Sequence, residues 1–256
     1  MNIVILAAGT GSRLLHHTQN TPKALVKLAG TPLLDYQLRV FKQLGLSKIN
    51  IVSGYLEQEF EPYSFRRFVN EDFQQSNMLY SLMKAKILFT EGEDLIISYG
   101  DIIYEAHILS ALIKQTGDIV VSADKNWQLL WDLRMEDPMQ DAESFIYDDN
   151  NNILELGKPL TSAADAQAQY IGLIKISAKC LPKVVQAYDS LGLNNTKNMY
   201  LTDFIQHLID IKMEVKASFH QRGWLEVDTV EDLSRYEALV KNHQYKVLGL
   251  RAEYFQ

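Results

Sequence analysis

The chain has 256 residues, 47% of them hydrophobic, which is enough to bury the core of one large α/β domain or of two small ones. Its formal net charge of −7 argues against a general nucleic-acid binder, which gains affinity by neutralising many phosphates. No apolar run approaches the roughly 20 residues of a membrane span, and Cys180 is the single cysteine, so we expect a cytoplasmic protein with no membrane partner.

The first hundred residues alternate strand and helix patterns. We expect strands at 2–6, 48–54 and 94–99 and helices at 32–44 and 77–89. In the first helix the apolar side chains recur at steps of three and four residues and so share one face: Leu34, Leu38, Phe41 and Leu44. Gly45 then ends the helix. This alternation predicts βαβ units, in which helices cover a parallel sheet.

The second half of the chain is less regular. Strand patterns occur at 119–122, 143–147, 153–156 and 170–176, and the Asp and Asn residues at 148–152 predict a hairpin turn. The last predicted elements are a helix, a strand and a helix at 201–211, 215–219 and 230–241. Because no repeat or convincing linker interrupts the sequence, we predict a single domain over 1–256, with halves at about 1–115 and about 116–256.

A glycine-rich loop follows the first strand. The strand opens into Gly9 and Gly11, and the cations Arg13 and Lys23 come after them. Glycines after a buried strand let backbone N–H groups approach phosphate oxygens, because no Cβ intervenes and positive φ is accessible. The spacing differs from the P-loop and from the dinucleotide fingerprint, which requires a glycine where Leu14 stands. The loop predicts a cradle for a nucleoside triphosphate; the alternative is a plain turn flanked by two surface cations.

This segment resembles the signature of nucleotidyltransferases that join a nucleotide to a phosphorylated small molecule, L-x-A-G-x-G-x-R-L followed by P-K. Over nearly its whole length the chain is similar to this family, which includes the nucleoside diphosphate-sugar pyrophosphorylases, and in particular to its phosphocholine cytidylyltransferase-like branch. The resemblance implies a three-layer, Rossmann-like α/β fold with a mixed, mainly parallel central sheet. It also implies that the loop and its cations bind the nucleotide: Leu6, Ala7, Ala8, Gly9, Thr10, Gly11, Ser12, Arg13 and Lys23.

Two aspartates are candidates for holding a metal ion. Asp101 follows Gly100 at the end of a strand, at the edge where open α/β sheets bind ligands. Asp228 lies in a short alternating segment, 224–229, that leads into a helix. The resemblance pairs these two positions as ligands of Mg²⁺, for which one or two carboxylates suffice beside substrate phosphates and water. The alternatives are a turn aspartate at Asp101 and a helix cap at Asp228 or Thr229.

Further residues are candidates for contacting the nucleotide. The resemblance implies a segment near the base, in which Asn77 and Ser81 are the polar residues. It also implies a loop near the nucleotide after the second strand, at Gly54 and Tyr55, and a contact at Gly100. Capping of the helix at 77–89 is the alternative role of Asn77 and Ser81.

The segment 124–134 is the most distinctive candidate for recognising an acceptor. Trp127, Trp131 and Arg134 stand at helical spacings of i, i+4 and i+7 and so share a face. Aromatic faces suit an ammonium group through cation–π attraction, whereas an arginine suits a phosphate or a carboxylate. The alternative is that both tryptophans pack in the core.

The remaining acceptor candidates come from later segments. Lys158 matches the lysine in the E-K-P segment of sugar-phosphate nucleotidyltransferases, but Gly157 replaces the family's glutamate, which weakens a hexose phosphate interpretation. Tyr200 either lines the same predicted pocket or is a buried aromatic residue. Glu226 stands two residues before Asp228, and the side of the strand on which it lies is left open.

The resemblance, with these residues in the matching positions, implies a cytidylyltransferase that uses Mg²⁺. An acceptor phosphate attacks the α-phosphorus of CTP, Arg13 and Lys23 stabilise the developing charge, and pyrophosphate leaves without a covalent enzyme intermediate. The expected acceptor is phosphocholine, 2-aminoethylphosphonate or a phosphorylated amino acid. The alternatives are a sugar-1-phosphate nucleotidyltransferase that uses UTP, GTP or another triphosphate, and a catalytically idle nucleotide-binding regulator. The sequence leaves the oligomeric state open, a homo-oligomer included.

Overall fold

A seven-stranded sheet forms the centre of the computed structural model, which describes residues 1–255. The strands, numbered along the chain, are β1 (Asn2–Ala7), β2 (Lys27–Leu28), β3 (Thr31–Pro32), β4 (Ile49–Ser53), β5 (Arg66–Val69), β6 (Leu95–Tyr99), β7 (Ile102–Tyr104), β8 (Ile119–Asp124), β9 (Glu143–Tyr147), β10 (Ile153–Pro159), β11 (Gln169–Ile176), β12 (Val215–His220) and β13 (Trp224–Glu226). The helices are α1 (Leu33–Gln43), α2 (Met78–Lys84), α3 (Ala106–Lys114), α4 (Gln128–Arg134), α5 (Leu181–Leu191), α6 (Leu193–Thr196), α7 (Leu201–Asp210), α8 (Val230–Lys241) and α9 (Tyr245–Leu248). Within the described residues, none of these helices combines the length and apolar character that crossing a membrane requires.

The order of strands across the central sheet is β12-β8-β11-β6-β1-β4-β5. β11 runs antiparallel to both of its neighbours, β6 and β8, and every other neighbouring pair is parallel. The register places Ile5 of β1 between Ile51 of β4 and Ser98 of β6. This arrangement confirms the predicted mixed, mainly parallel sheet.

Helices cover both faces of the sheet and give the molecule three layers. Alternate side chains of β1 enter different cores, since Ile3 and Ile5 pack on one face and Val4 and Leu6 on the other. The first core also contains apolar residues of α1, α3 and α8, and the second contains those of α2, α5 and α7. A strand that is buried on both faces has a continuous apolar sequence, which is why β1 could be predicted.

Some elements differ from the sequence-based expectation. The helix predicted at 77–89 ends at Lys84 and continues as a 3₁₀ turn, Lys86–Thr90. In this tighter turn the Leu88 N–H donates to the carbonyl oxygen of Ala85 at 2.9 Å, and Leu88 and Phe89 pack in the core. β5, α3 and α5 have no counterpart among the predicted elements.

The central sheet contains strands from both predicted halves of the chain. β1, β4, β5 and β6 come from the half at about 1–115, and β8, β11 and β12 come from the half at about 116–256. β6 and β11 are hydrogen-bonded neighbours, with Leu173 opposite Ser98. One sheet therefore spans both halves, and the single-domain organisation stays a prediction.

Candidate active site

A cavity of about 490 Å³ opens at the carboxyl ends of β1 and β6. Ligands of open α/β sheets bind in the crevice outside the carboxyl ends of the strands. The lining includes most of the predicted site residues: Leu6, Ala7, Ala8, Gly9, Thr10, Gly11, Ser12, Arg13, Lys23, Asn77, Ser81, Gly100, Asp101, Trp131, Tyr200, Glu226 and Asp228. Five predicted residues lie outside the lining: Gly54, Tyr55, Trp127, Arg134 and Lys158.

The loop after β1 forms one wall of the cavity. Gly11 has a φ of 63°, and a Cβ atom there would lie 2.9 Å from the Cβ of Lys23. A Cβ atom at Gly100 would approach the carbonyl oxygen of Leu6 to 2.7 Å. At Gly9, by contrast, a Cβ atom would meet no atom within 4 Å apart from its chain neighbours. Packing therefore requires the glycines at 11 and 100, whereas Gly9 faces open space.

The short antiparallel pair β7–β13 brings two distant segments together at the cavity. Glu226 lies opposite Ile102, and the Val227 N–H donates to the carbonyl oxygen of Asp101 at 3.0 Å. Asp101, Glu226 and Asp228 consequently offer carboxylate oxygens that all lie within 4.8 Å of one another. Glu226 thus faces the same cavity as the two aspartates.

Two cations of the glycine loop balance these carboxylates. Lys23 Nζ lies 2.6 Å from Oδ2 of Asp101 and 2.6 Å from Oδ1 of Asp228. Arg13 Nη1 lies 2.5 Å from Oδ2 of Asp228. Burial alone would lower the pKa of Lys23, but the carboxylates of Asp101, Asp228 and Glu226 outweigh it and raise the pKa above its usual value. Lys23 is therefore charged and bridges the two aspartates.

The carboxylates fit a divalent cation. Oδ1 of Asp101 is buried and has no hydrogen-bond partner among residues 1–255. Such an oxygen is unfavourable in a folded protein unless a ligand reaches it. Mg²⁺ prefers oxygen ligands and is commonly held by one or two carboxylates beside substrate phosphates. The donor set at Asp101 and Asp228, with Glu226 beside it, matches that preference.

A buried arginine holds the segment that carries Asp228. Arg134 donates from Nε and Nη2 to the two carboxylate oxygens of Asp232, each at 3.1 Å, and from Nη1 to Oε2 of Glu226 at 2.9 Å. Asp232 also accepts from the backbone N–H groups of Asp228 and Thr229 at 3.1 Å, in the capping box that begins α8. Burial raises the pKa of Glu226 to about 7 despite the opposing charge of Arg134. Because Thr229 caps the helix, the Asp228 side chain is left for the cavity.

The two tryptophans of the 124–134 segment are buried. Trp127 is 3% exposed, and its indole N–H donates to the carbonyl oxygen of Ala166 at 3.0 Å. Trp131 is 4% exposed and donates to Oδ2 of Asp141 at 3.1 Å. Their rings pack edge to face with centroids 5.7 Å apart. Of the predicted acceptor face, Trp131 reaches the cavity, and the acceptor roles of Trp127 and Arg134 stay predictions.

Residues 3–194 match the family model of the MobA-like NTP transferase domain. The chain belongs to this family. It is 35% identical over 248 residues to the CTP:phosphoglutamine cytidylyltransferase of Campylobacter jejuni, a match that covers 91% of this chain and 98% of that protein. The 2-aminoethylphosphonate cytidylyltransferase of Lancefieldella rimae is 23% identical over 92% of each chain. These matches confirm the predicted nucleotidyltransferase family.

A solved structure has the same fold. The CTP:phosphocholine cytidylyltransferase of Streptococcus pneumoniae superposes with a TM-score of 0.70 at 21% identity, over 93% of this chain and 98% of that chain. The likeness confirms the predicted Rossmann-like architecture, in which the glycine loop follows the first strand of the sheet. This chain is therefore a nucleotidyltransferase in both family and fold.

Two polar residues predicted near the base also serve the fold of this nucleotidyltransferase. Oδ1 of Asn77 accepts from the Met78 N–H at 2.8 Å and so caps α2. Oγ of Ser81 accepts from Nδ2 of Asn70 at 2.9 Å. Both residues line the cavity, and their contact with a base stays a prediction.

The loop after β4 packs behind the glycine loop. The Tyr55 N–H donates to the carbonyl oxygen of Ala8 at 3.0 Å, and the Tyr55 hydroxyl donates to the carbonyl oxygens of Thr18 and Gln19 at 2.9 Å. A Cβ atom at Gly54 would lie 2.9 Å from the same Ala8 oxygen. Gly54 and Tyr55 thus shape the cradle of this nucleotidyltransferase from outside the cavity, and their nucleotide contacts stay predictions.

The later acceptor candidates are dispersed. Lys158 is exposed and its Nζ lies 2.6 Å from Oε2 of Glu155. Gly157 has a φ of 85°, and a Cβ atom there would lie 2.7 Å from the Cβ of Thr202, so this site does not accommodate the family's glutamate. Tyr200 is 60% exposed and lies on the cavity lining. The acceptor roles of Lys158 and Tyr200 stay predictions.

Two carboxylates of the cavity, Asp141 and Glu143, were missed by the sequence reasoning. Glu143 is the first residue of β9, a strand that the sequence predicts, but no motif marks it as part of a site. Burial, together with the charges of Asp141, Asp203 and Glu226, raises the pKa of Glu143 to about 7. Tertiary packing of β9 against the cavity, rather than a local pattern, brings both acids into this site.

Proposed function

We propose that this nucleotidyltransferase transfers CMP from CTP to a small acceptor that carries a phosphoryl or phosphonyl group, and that it releases pyrophosphate. One arrangement carries the proposal: the glycine loop with Arg13 and Lys23 adjoins the carboxylates of Asp101 and Asp228 in a single cavity. The three similar proteins named above are all cytidylyltransferases, which supports CTP as the donor. Mg²⁺ is the proposed cofactor, and the cytoplasm is the proposed location.

Different groups around the cavity contact different parts of the triphosphate. Backbone N–H groups of the loop after β1 contact the phosphates, since Gly9 leaves room for their approach. Arg13 and Lys23 exchange their aspartate partners for phosphate oxygens and stabilise the charge that develops on the departing pyrophosphate. Mg²⁺ at Asp101 and Asp228 would supply further neutralisation of phosphate charge.

The acceptor itself is the nucleophile. One of its phosphoryl oxygens, anionic at neutral pH, forms a bond to the α-phosphorus while the bond from that phosphorus to the bridging oxygen of pyrophosphate breaks. The electron pair leaves with pyrophosphate, next to Arg13 and Lys23. No side chain needs to remove a proton, so positioning and charge stabilisation are the main contributions of the protein.

The geometry favours this activity over the alternatives. A hexose phosphate acceptor would call for the family's glutamate at position 157, where the positive φ and Thr202 leave no room for a side chain. Lys158 of the same segment is outside the cavity and paired with Glu155. An idle regulator has no need to keep Asp101, Asp228 and Lys23 in mutual contact. Sugar transfer and regulation are therefore the less favoured functions.

Pyrophosphate release tests the proposal. We expect turnover with CTP above that with UTP, GTP or ATP, in a matrix of acceptors that includes phosphocholine, 2-aminoethylphosphonate, phospho-amino acids and hexose 1-phosphates. Asp228→Asn should lower kcat/KM at least about a hundredfold, because it removes an anionic ligand of the proposed Mg²⁺ ion, whose charge would offset that of the phosphates. Asp149→Asn, at an exposed residue in the β9–β10 turn, is the control and should be unaffected.

Two outcomes would contradict this function. Turnover with hexose 1-phosphates and none with the other acceptors would indicate a sugar nucleotidyltransferase. The absence of pyrophosphate release under every Mg²⁺ and triphosphate condition would indicate a regulator. Wild-type activity of Asp228→Asn at limiting Mg²⁺ would remove Asp228 from the metal site.

A further inference from the structure

A buried asparagine stands behind one wall of the cavity. Asn70 follows β5 and is fully buried. Its Nδ2 donates to Oγ of Ser76 and to Oγ of Ser81, at 2.9 Å each. Both serines line the cavity. A buried amide that contacts two lining hydroxyls can determine which of their atoms remain available to a ligand.

A third contact fixes the orientation of the Asn70 amide. Its Oδ1 accepts from the backbone N–H of Asp72 at 3.1 Å. If the amide were turned over, its NH₂ group would face that N–H, and two donors would oppose each other. Nδ2 therefore points to the serines and gives one hydrogen atom to each of them.

Each serine hydroxyl consequently has one place left for a hydrogen bond. A hydroxyl offers one proton and two lone pairs. Ser76 donates its proton to the carbonyl oxygen of Asp72 at 2.8 Å, and Ser81 donates to that of Asn77 at 3.3 Å. One lone pair of each serine oxygen accepts from Asn70. The remaining lone pair can only accept, so a ligand that meets these hydroxyls must supply a donor.

The two hydroxyls lie on the side of the glycine loop away from the carboxylates. A Cβ atom at Gly54, directly after β4, would lie 2.9 Å from the carbonyl oxygens of both Ala8 and Asn70. Asp101, by contrast, follows β6, and β4 and β6 flank β1 on opposite sides. A nucleotide that crosses the glycine loop from Asp101 therefore brings its base to the two serines.

The other groups of this wall suit a base rather than a phosphate. Phe73 and Met78 line the cavity beside the serines and offer apolar surface. Within residues 1–255, the cationic side chains on the lining are those of Arg13 and Lys23, which contact the aspartates instead. Proteins bind bases through apolar contact with the ring face and hydrogen bonds along its edge. This wall provides the first with Phe73 and Met78 and the second with two acceptors.

We propose that Asn70 is a positioning residue that makes the enzyme prefer cytosine to uracil. It holds the Ser76 and Ser81 hydroxyls as acceptors for the amino group at position 4 of the base. The inference rests on the cytidylyl transfer proposed above. Uracil has a carbonyl oxygen at that position, whose lone pairs would face those of the serines. Because the hydroxyl protons are already engaged, the site cannot adapt to uracil without losing a hydrogen bond.

Binding of triphosphates in the absence of an acceptor tests the selectivity. Isothermal titration calorimetry with Mg²⁺ compares CTP, UTP and the triphosphate of 2-pyrimidinone riboside, which has only a hydrogen atom at position 4 of the base. We expect the wild type to bind CTP roughly 10- to 100-fold more tightly than UTP. The 2-pyrimidinone nucleotide should have an intermediate affinity, since it lacks the donor but brings no opposing lone pair.

Variants assign the selectivity to these residues. Ser76→Ala and Ser81→Ala should each weaken the binding of CTP roughly 3- to 10-fold and leave that of UTP unchanged or tighter. Asn70→Ala frees both hydroxyl protons to turn toward uracil, so the preference for CTP should fall below about threefold. The serine variants test the inference whether or not Asn70→Ala folds.

Asn50→Ala is the matched control. Asn50 is a buried asparagine of β4, its amide donates to the carbonyl oxygen of Ile3 at 2.9 Å, and it lies outside the cavity lining. This variant removes a buried amide of the same kind without touching a lining hydroxyl. It should lower the thermal unfolding midpoint and leave the ratio of CTP to UTP affinity as in the wild type.

The outcomes separate this inference from the proposed function. The absence of pyrophosphate release from CTP with every acceptor would contradict cytidylyl transfer itself. A preference for CTP that persists unchanged in Asn70→Ala and in both serine variants would overturn the inference and leave cytidylyl transfer intact. The inference is also wrong if the serine variants weaken CTP and UTP equally, because a purely structural role would have that effect.

Discussion

Glu143 is a residue whose ionisation opposes folding. Its pKa is raised to about 7, mainly by burial and then by the neighbouring carboxylates, so the folded chain binds the proton more tightly than the unfolded chain does. Stability from this group is therefore fully present below the usual pKa near 4.5 and is lost as the pH rises toward 7. Solvent reaches the side chain through the open cavity, which reduces the size of the effect.

Replacing this carboxylate should stabilise the protein at high pH. We expect Glu143→Gln to raise the thermal unfolding midpoint at pH 8 by roughly 1–3 °C, and to give no gain at pH 4.5, where the wild-type group is protonated. Circular dichroism melts at several pH values, without acceptor, measure the difference. An equal shift at both pH values would mean that the charge of Glu143 does not oppose folding.

The sequence could assign some of the cavity residues to the site but not others. The loop from Leu6 to Arg13 lines the cavity because a motif defines both its glycines and its cation within a few positions. Asp101 and Asp228 could be paired only through a family resemblance, since they lie far apart in sequence and meet through β7 and β13. No motif marks Asp141 or Glu143. Their hydrogen-bond partners, Trp131 of α4 and Gln169 of β11, lie in other elements and are brought near only by the fold.

At the scale of elements, α4 is joined to the β13–α8 junction by a single side chain. Arg134 extends from the end of α4 to Asp232 in the first turn of α8 and to Glu226 at the end of β13. Its side chain is 4% exposed, so its three hydrogen bonds are shielded from water. The junction carries Asp228, and its position therefore depends on a helix about 100 residues earlier in the sequence.

Removing this arginine should loosen the junction. We expect Arg134→Met to lower the free energy of unfolding by about 3–5 kcal/mol, because it leaves the buried Asp232 and the half-buried Glu226 without a cation. Urea unfolding measures the change, with Arg235→Met, at an exposed arginine of α8, as the matched control. Equal stability of the two variants would show that the buried ion pairs contribute nothing.

Elements with a clear period were predictable and others were not. β1, β6 and β11 are buried in the sheet, so their sequences are largely apolar. That apolar pattern is visible in the sequence, which is why these strands could be predicted. The edge strand β5 begins with Arg66 and Arg67 and has no apolar period, since one of its sides has no partner strand. α5 begins with Leu181 and Pro182, and a proline in the first helical turn is easily interpreted as a break.

At the scale of the whole molecule, β11 joins the two predicted halves of the chain. It lies between β6 of the first half and β8 of the second and is antiparallel to both. Removing the second half would leave β6 with an unpaired edge in the middle of the sheet. The residues that face the cavity also come from both halves, so the site depends on this junction.

The halves should therefore unfold together. We expect near- and far-ultraviolet circular dichroism of the full chain to report one thermal transition with coincident midpoints. A fragment of residues 1–115 should not fold alone, and its amide proton spectrum should lack the dispersion of a packed core. Two separated transitions, or a folded fragment, would instead establish two domains.

The contact of Lys23 with Asp101 and Asp228 bears on how the protein is made. Lys23 neutralises part of the charge of the two aspartates, so we expect the chain to fold without a metal ion. Small domains whose folding is coupled to metal binding differ in this respect. The supply of folded protein is then independent of the free magnesium in its surroundings. A shortage of magnesium would slow turnover without removing the catalyst, and activity would return as soon as the ion did.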